Sequence, residues 1–194
     1  MTTATIRAAT KADEAAVVDV ITVAFTTDPL VRWLWRDPHQ YLVHMPALVR
    51  AAAGKAFAAG SAYYVDGYAG AALWLPPEVH AEKDELRSLI RNDVAEEQRA
   101  EVVAVFKQMG SYHPQEPHWY LPLIGVDPAN RWRGYGSVLM QHALQPCDRN
   151  HALAYLESSN PRNLSLYIRH GFEITGTIQI GSSPPLFPML RKPR

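Results

Sequence analysis

Apolar and polar positions along the chain change period several times, and each change marks an element. Residues 5–9 alternate as a short strand does. Over residues 13–25, Ala16, Val17, Val20, Ile21 and Ala24 fall at helical spacing, with Thr10 and Asp13 as caps, and the pattern stops before Asp28-Pro29. A second helical region, residues 30–59, carries Trp33, Leu34, Leu42, Met45, Leu48 and Val49. It breaks at Asp37-Pro38, and a further break is expected near Pro46. Two β-rich runs, 61–65 and 68–75, flank Asp66-Gly67, a strong short-range hairpin signal.

Residues 81–109 are charged and helical, with Leu86, Leu89, Ile90, Val94, Val102, Val103 and Phe106 in an interrupted apolar stripe, as in a pair of helices packed on one side. Residues 118–126 form a nearly unbroken apolar strand of the sort buried on both faces. A strand (152–157), a helix (161–169) and two strands (172–180 and 186–190) complete the pattern, and the order gives a mixed α/β (α+β) domain.

Composition narrows the function. The 194 residues are 47% hydrophobic, enough for one core, and are read as one domain over 1–194. Nineteen Lys plus Arg balance nineteen Asp plus Glu, so no global field attracts nucleic acid or a membrane, and an anionic ligand must be held locally. The lone Cys147 excludes an internal disulfide, no run of about 18 apolar residues occurs, and a cytoplasmic location is expected. The eight histidines show no ligand spacing, so no metal is expected; His118 is the one to watch.

The most informative stretch, residues 121–144, runs from apolar strand through Arg131-Trp132-Arg133-Gly134-Tyr135-Gly136-Ser137 into a helix. First-turn N–H groups lack intrahelical partners and carry partial positive charge, glycine permits close approach, and Arg131 and Arg133 add charge: the turn suits an anion. A Walker A loop would need Lys-Ser or Lys-Thr after the second glycine. A dinucleotide fingerprint has Glu157 at a suitable distance but finds Leu139 where its third glycine should stand. A plain surface loop is the remaining structural alternative.

These residues resemble the Gln/Arg-x-x-Gly-x-Gly/Ala motif of the GNAT superfamily of N-acetyltransferases. A second signature follows, with Asn160 seven residues before Tyr167 and Gly171-Phe172 beyond it. With Glu116-Pro117, Gly125-Val126 and Arg191-Lys192-Pro193, the pattern is most similar to the puromycin N-acetyltransferase branch. Asp28, however, stands where those enzymes have a tyrosine before the corresponding proline, a departure that points away from puromycin itself.

The resemblance implies a GNAT fold, a mixed sheet of about seven strands with an acyl-CoA cleft between its two central strands. Acetyl-CoA is then the cofactor and the protein a monomer or homodimer, with a small-molecule primary amine the expected acceptor; the alternatives are a protein or aminoacyl acetyltransferase and a non-catalytic acyl-CoA-binding sensor. Main-chain N–H groups from Arg133 through Gly134, Tyr135 and Gly136 to Ser137 would hold the pyrophosphate, helped by Arg131. Ile124, Gly125 and Val126 would pair with the pantetheine arm, an N–H near Val126 polarising the thioester carbonyl. Asn160 would bond the same arm, with Asn163 beside Tyr167 on the helix, and Tyr167 would protonate the leaving thiolate.

For the base, Glu157 at a strand end could take the amine proton, or could instead be paired with Arg162. Asp28 could anchor a cationic acceptor or simply form a turn. Cys147 lacks an activating neighbour, so a covalent acetyl-cysteine is not expected. The helix from Gly134 should end or kink about Pro146.

Overall fold

The computed structural model describes residues 4–193 of the chain. Seven strands form one sheet: β1 (Ile6–Ala8), β2 (Ala62–Val65), β3 (Gly70–Leu75), β4 (His118–Val126), β5 (Leu153–Ser158), β6 (Glu173–Ile174) and β7 (Phe187–Arg191), in spatial order β1-β2-β3-β4-β5-β7-β6. Every neighbouring pair is antiparallel except β4 and β5.

Helices cover both faces. On one, α1 (Glu14–Ala24), α3 (Pro38–Ala53) and α6 (Glu96–Tyr112) pack Val17, Ile21, Met45, Val49, Val102 and Val105 onto Ala71, Leu73, Leu75 and Leu123. On the other, α7 (Tyr135–Arg149) and α8 (Leu164–Arg169) pack Leu139, Met140, Ala143 and Tyr167 onto Ala72, Trp74, Leu121, Ala154 and Leu156. The short α2 (Pro29–Leu34) and α3 both begin with proline at their first position and an aspartate before it. The Asp28 carboxylate accepts from Leu30 and Val31 N–H, and that of Asp37 from Gln40 N–H. The single-turn α4 (Lys55–Ala58) follows α3, and the charged stretch is α5 (Lys83–Asp93) followed by α6, split at Val94-Ala95. None of the described helices is long and apolar enough to cross a membrane.

The centre of the sheet is irregular in a way that makes a cleft. β4 pairs with β5 only from His118 opposite Leu153 to Tyr120 opposite Tyr155. On its other edge β4 continues against β3 as far as Val126, but with a bulge. Leu73 faces Leu123 and Leu75 faces Tyr120, so one residue of β3, Trp74, opposes two of β4, Leu121 and Pro122. The extra residue falls at Leu121-Pro122, where proline can donate no ladder hydrogen bond. Tyr120 and Leu123 therefore share a face, and Leu121 takes the other. Beyond this bulge β4 leaves β5, and the strands open like a slit from Leu121 and Leu156 onward.

Several expectations are corrected. Neither Pro46 nor Pro146 breaks its helix: α3 and α7 run through both. In α3 the Pro46 carbonyl, one turn before Arg50, accepts from the Arg50 guanidinium; in α7 the following Cys147 is fully buried, so packing holds the last turn in place. The strand expected over 172–180 shrinks to β6 plus an isolated bridge from Ile178 to Leu186. Phe172 turns into the core, and Gly176 lies against the Tyr112 ring, where even a Cβ would come within 2.5 Å. Tyr68, expected in a strand, belongs to the hairpin turn with φ of 55°.

Candidate active site

At the wide end of the slit, three elements meet. The chain leaves β4 at Val126, turns through Asp127, whose carboxylate accepts from Ala129 N–H, and enters α7 at Gly134. Gly134 has φ of 80°, a left-handed conformation that glycine adopts without strain. A Cβ on Gly136 would touch Leu166 of α8 at 3.4 Å and Val126 of β4 at 4.0 Å, so the start of α7, the end of β4 and α8 converge there.

Among the described residues, the N–H groups of Arg133, Gly134, Tyr135 and Gly136 donate to no backbone carbonyl outside α7. These are four of the five N–H groups expected to hold an anion. Ser137 departs from expectation: its N–H is taken by the Gly134 carbonyl, and its hydroxyl lies 2.8 Å from His170 Nε2. Arg131 reaches back to the Ala24 carbonyl at 3.4 Å, tying the turn to α1, while Arg133 is exposed.

Along the slit, Ile124, Gly125 and Val126 pair with Ala72, Ala71 and Gly70 of β3. Their other edge faces away from β3 and has lost β5 as a partner, which leaves alternate main-chain groups for an extended ligand. Gly125 has a packing reason to be glycine: a Cβ there would stand 2.6 Å from Ala24 Cβ, under the last turn of α1. Asn160 caps the turn before α8 by accepting from Arg162 N–H, and Asn163 is exposed at the start of α8.

The two candidate proton-transfer groups lie on opposite faces of the sheet. Tyr167 is buried on the α7 and α8 face, edge-on to Phe172 at 6.3 Å between centroids. Burial, and then the nearby Asp28 charge, push its hydroxyl well above the usual phenol range, so it holds its proton at neutral pH. Glu157 is on the other face, two residues after Tyr155, and its side chain is 2% exposed. It does not pair with Arg162, which is exposed; its neighbour is His113 Nε2 at 3.4 Å, just after α6. Tyr120 and Tyr155 lie close enough to feel the Glu157 charge, which together with burial raises both hydroxyls, yet Glu157 Oε1 and Tyr155 Oη are buried without a hydrogen bond.

Asp28 bridges the faces. It is buried, accepts from the start of α2, and receives a 2.5 Å hydrogen bond from Ser159 just after β5. Desolvation raises its carboxyl above the usual range, against those hydrogen bonds. Its oxygens are thus engaged by the protein, and an acceptor-anchoring role has little capacity left. Cys147 is buried, with its thiol pushed up to about 12, which matches its reading as inert.

His113, Tyr155 and Ser159 were not singled out in the sequence. The available signal was period-two alternation, which puts His118 with Tyr120, and Tyr155 with Glu157, on one face of adjacent strands. A cavity of about 780 Å³ lies elsewhere, between Trp35, Asp37, His44, Asp93, Gln98 and Ser182, and none of the slit residues lines it.

The description of an acetyltransferase (GNAT) domain matches residues 91–174, which include β4, the turn, α7, β5 and α8. The fold of the chain is the GNAT fold. Over its whole length the GNAT fold is seen in the crystal structure titled histone acetyltransferase HPA2 and related acetyltransferase from Corynebacterium glutamicum, at TM-score 0.71 and 27% identity, covering 98% of this chain and 97% of that one. Arylalkylamine N-acetyltransferase 2 from Aedes aegypti superposes at TM-score 0.69 with 12% identity, covering 99% and 100% of the two chains. An uncharacterised N-acetyltransferase of Schizosaccharomyces pombe is 32% identical over 78 residues, 39% of this chain; the match spans about a third, 32%, of that relative's length.

Proposed function

We propose that the protein transfers the acetyl group of acetyl-CoA directly to a primary amine of a small molecule. One observation carries this reading: a carboxylate and a neutral tyrosine lie on opposite faces of the sheet at the same opening between β4 and β5. Acetyl transfer needs proton removal from an ammonium on one side of the thioester and proton delivery to a thiolate on the other. Glu157 takes the first proton, the amine attacks the carbonyl carbon, the C–S bond breaks, Tyr167 protonates the sulfur, and the second proton on the nitrogen of the new amide returns to Tyr167. An N–H near Val126 polarises the carbonyl oxygen as negative charge develops there.

Acetyl-CoA fits the rest of the cleft. Free N–H groups from Arg133 to Gly136 suit the pyrophosphate, with Arg131 and Arg133 near it. The open edge of Ile124 to Val126 suits the amide-bearing pantetheine arm, and the Asn160 amide suits the same arm. The buried setting of Glu157 among His113, Tyr120 and Tyr155 favours a slender or aromatic amine, of the antibiotic or metabolite kind, over a folded protein surface. The puromycin-like branch suggested by the motifs belongs to this reading. The relative titled a histone acetyltransferase supports a second acceptor class, a protein or aminoacyl amine. A thiol-release screen comparing small primary amines with lysine-bearing and free N-terminal peptides separates them: turnover of the small amines alone is expected, and turnover of peptides alone would reverse the assignment.

A further inference from the structure

Trp132 stands apart from the other tryptophans of the chain. Trp33, Trp35 and Trp74 are buried, and Trp119 packs against the core on the α7 and α8 face. Trp132 is 101% exposed, more than any other large apolar residue among those described, so nothing in the fold covers its indole. Its backbone has φ of 67°, a left-handed conformation that bulky residues seldom adopt. A polar residue would serve a surface turn while leaving less apolar area in water. Folding therefore gives no reason for an indole here.

The position gives one. Trp132 directly precedes Arg133, the first of the N–H groups that suit the cofactor's pyrophosphate. A pyrophosphate held there has two ends. One bears the pantetheine arm, which follows Ile124 to Val126 into the slit. The other bears the ribose and adenine, and with the slit already taken it leaves toward solvent, past the turn. Arg131 is tied back to the Ala24 carbonyl, whereas the neighbouring Arg133 is exposed. An uncovered π-surface beside an exposed guanidinium suits a phosphorylated nucleoside: the base stacks on the ring and the phosphate pairs with the cation.

We propose that Trp132 is the adenine-binding residue of the cofactor site: its indole stacks on the base of acetyl-CoA, with Arg133 facing the phosphate on the ribose. This inference rests on acetyl-CoA being the cofactor held at the turn. Stacking covers apolar surface that the fold leaves in water, and it anchors the nucleotide end from which the pantetheine arm enters the slit. Trp132 lies outside the slit that holds Glu157 and Tyr167, so it sets cofactor affinity and not the chemical step.

The test is calorimetric titration of the parent, Trp132→Ala and Trp132→Phe with acetyl-CoA and with acetyl phosphopantetheine, which lacks the adenosine. Both variants keep a Cβ and so meet the same left-handed backbone, and loss of an uncovered ring should leave the melting temperature unchanged. Trp132→Ala is expected to bind acetyl-CoA roughly ten- to a hundred-fold more weakly, as loss of one base–aromatic stack does. Trp132→Phe should recover most of that affinity, and acetyl phosphopantetheine should bind all three proteins alike. In fluorescence, adenosine bisphosphate is expected to quench a part of the parent's emission that Trp132→Phe lacks. Unchanged acetyl-CoA affinity in Trp132→Ala, or an equal loss for acetyl phosphopantetheine, overturns the proposal. A dimer of the parent that Trp132→Ala breaks, at unchanged affinity, would give the ring to a contact between copies instead. Failure of the parent to bind acetyl-CoA removes the cofactor reading itself, whereas tight binding matched by Trp132→Ala removes this inference alone.

Discussion

Single residues here hold their chemistry through burial more than through charge pairing. Tyr167 keeps its proton because the α7 and α8 face dehydrates it and Asp28 adds negative charge nearby. Tyr167→Phe is therefore expected to bind acetyl-CoA normally and to lose about a hundred-fold in kcat, at the low end of general-acid effects; full activity with normal binding would remove the acid role. Asp28 makes the opposite kind of statement. Its carboxyl is raised in the folded protein, so keeping it charged opposes folding once the pH climbs past the unfolded value, and that cost is absent in acid. Asn in its place can still accept from Leu30 and Val31 N–H and meet Ser159 through its amide. Asp28→Asn is expected to melt no lower than the parent at neutral pH, with the parent's advantage, if any, confined to acid; a melting temperature several degrees lower at neutral pH would contradict the assigned desolvation cost.

Elements set how close these residues come, and glycines show where the tolerance ends. Gly125 supports α1 directly, so Gly125→Ala forces a clash at 2.6 Å and is expected to cost about 1–3 kcal/mol in denaturant unfolding. Gly136→Ala meets only ordinary contact at 3.4 Å and should be near neutral in the same assay. Gly134→Val pits a β-branched side chain against a left-handed backbone and should cut acetyl-CoA affinity sharply, since the turn must refold to accommodate it. Equal stability of the two alanine variants would mean α1 does not seat on β4 as described. The turn was legible in the sequence because its glycines and arginines are contiguous. The bulge was not, because a single extra residue at Leu121-Pro122 leaves the apolar run unbroken and only the pairing partner reveals it.

At the scale of the whole molecule, the slit exists because one strand pair in the sheet is parallel and separates early, while long-range contacts bring α6 and the α1–α2 turn onto the same opening. Arg191 of β7 helps lock that arrangement: its buried guanidinium grips Asp148 of α7 with two bonds of 2.7 and 2.9 Å and donates to the His170 carbonyl. The element order and the mixed α/β class were legible from period and turn residues, while the mixed seven-stranded sheet was legible only through the resemblance carried by the turn and its second signature. His113 and Ser159 were not, since each meets its carboxylate across 44 and 131 residues of sequence, a juxtaposition only the packed chain creates.

The most direct test of the account is calorimetric titration of the protein with acetyl-CoA, with NADH and ATP as controls. Selective binding of acetyl-CoA, about micromolar in strength and lost in Gly134→Val, is the predicted result. Failure to bind acetyl-CoA, or a preference for NADH, would contradict it.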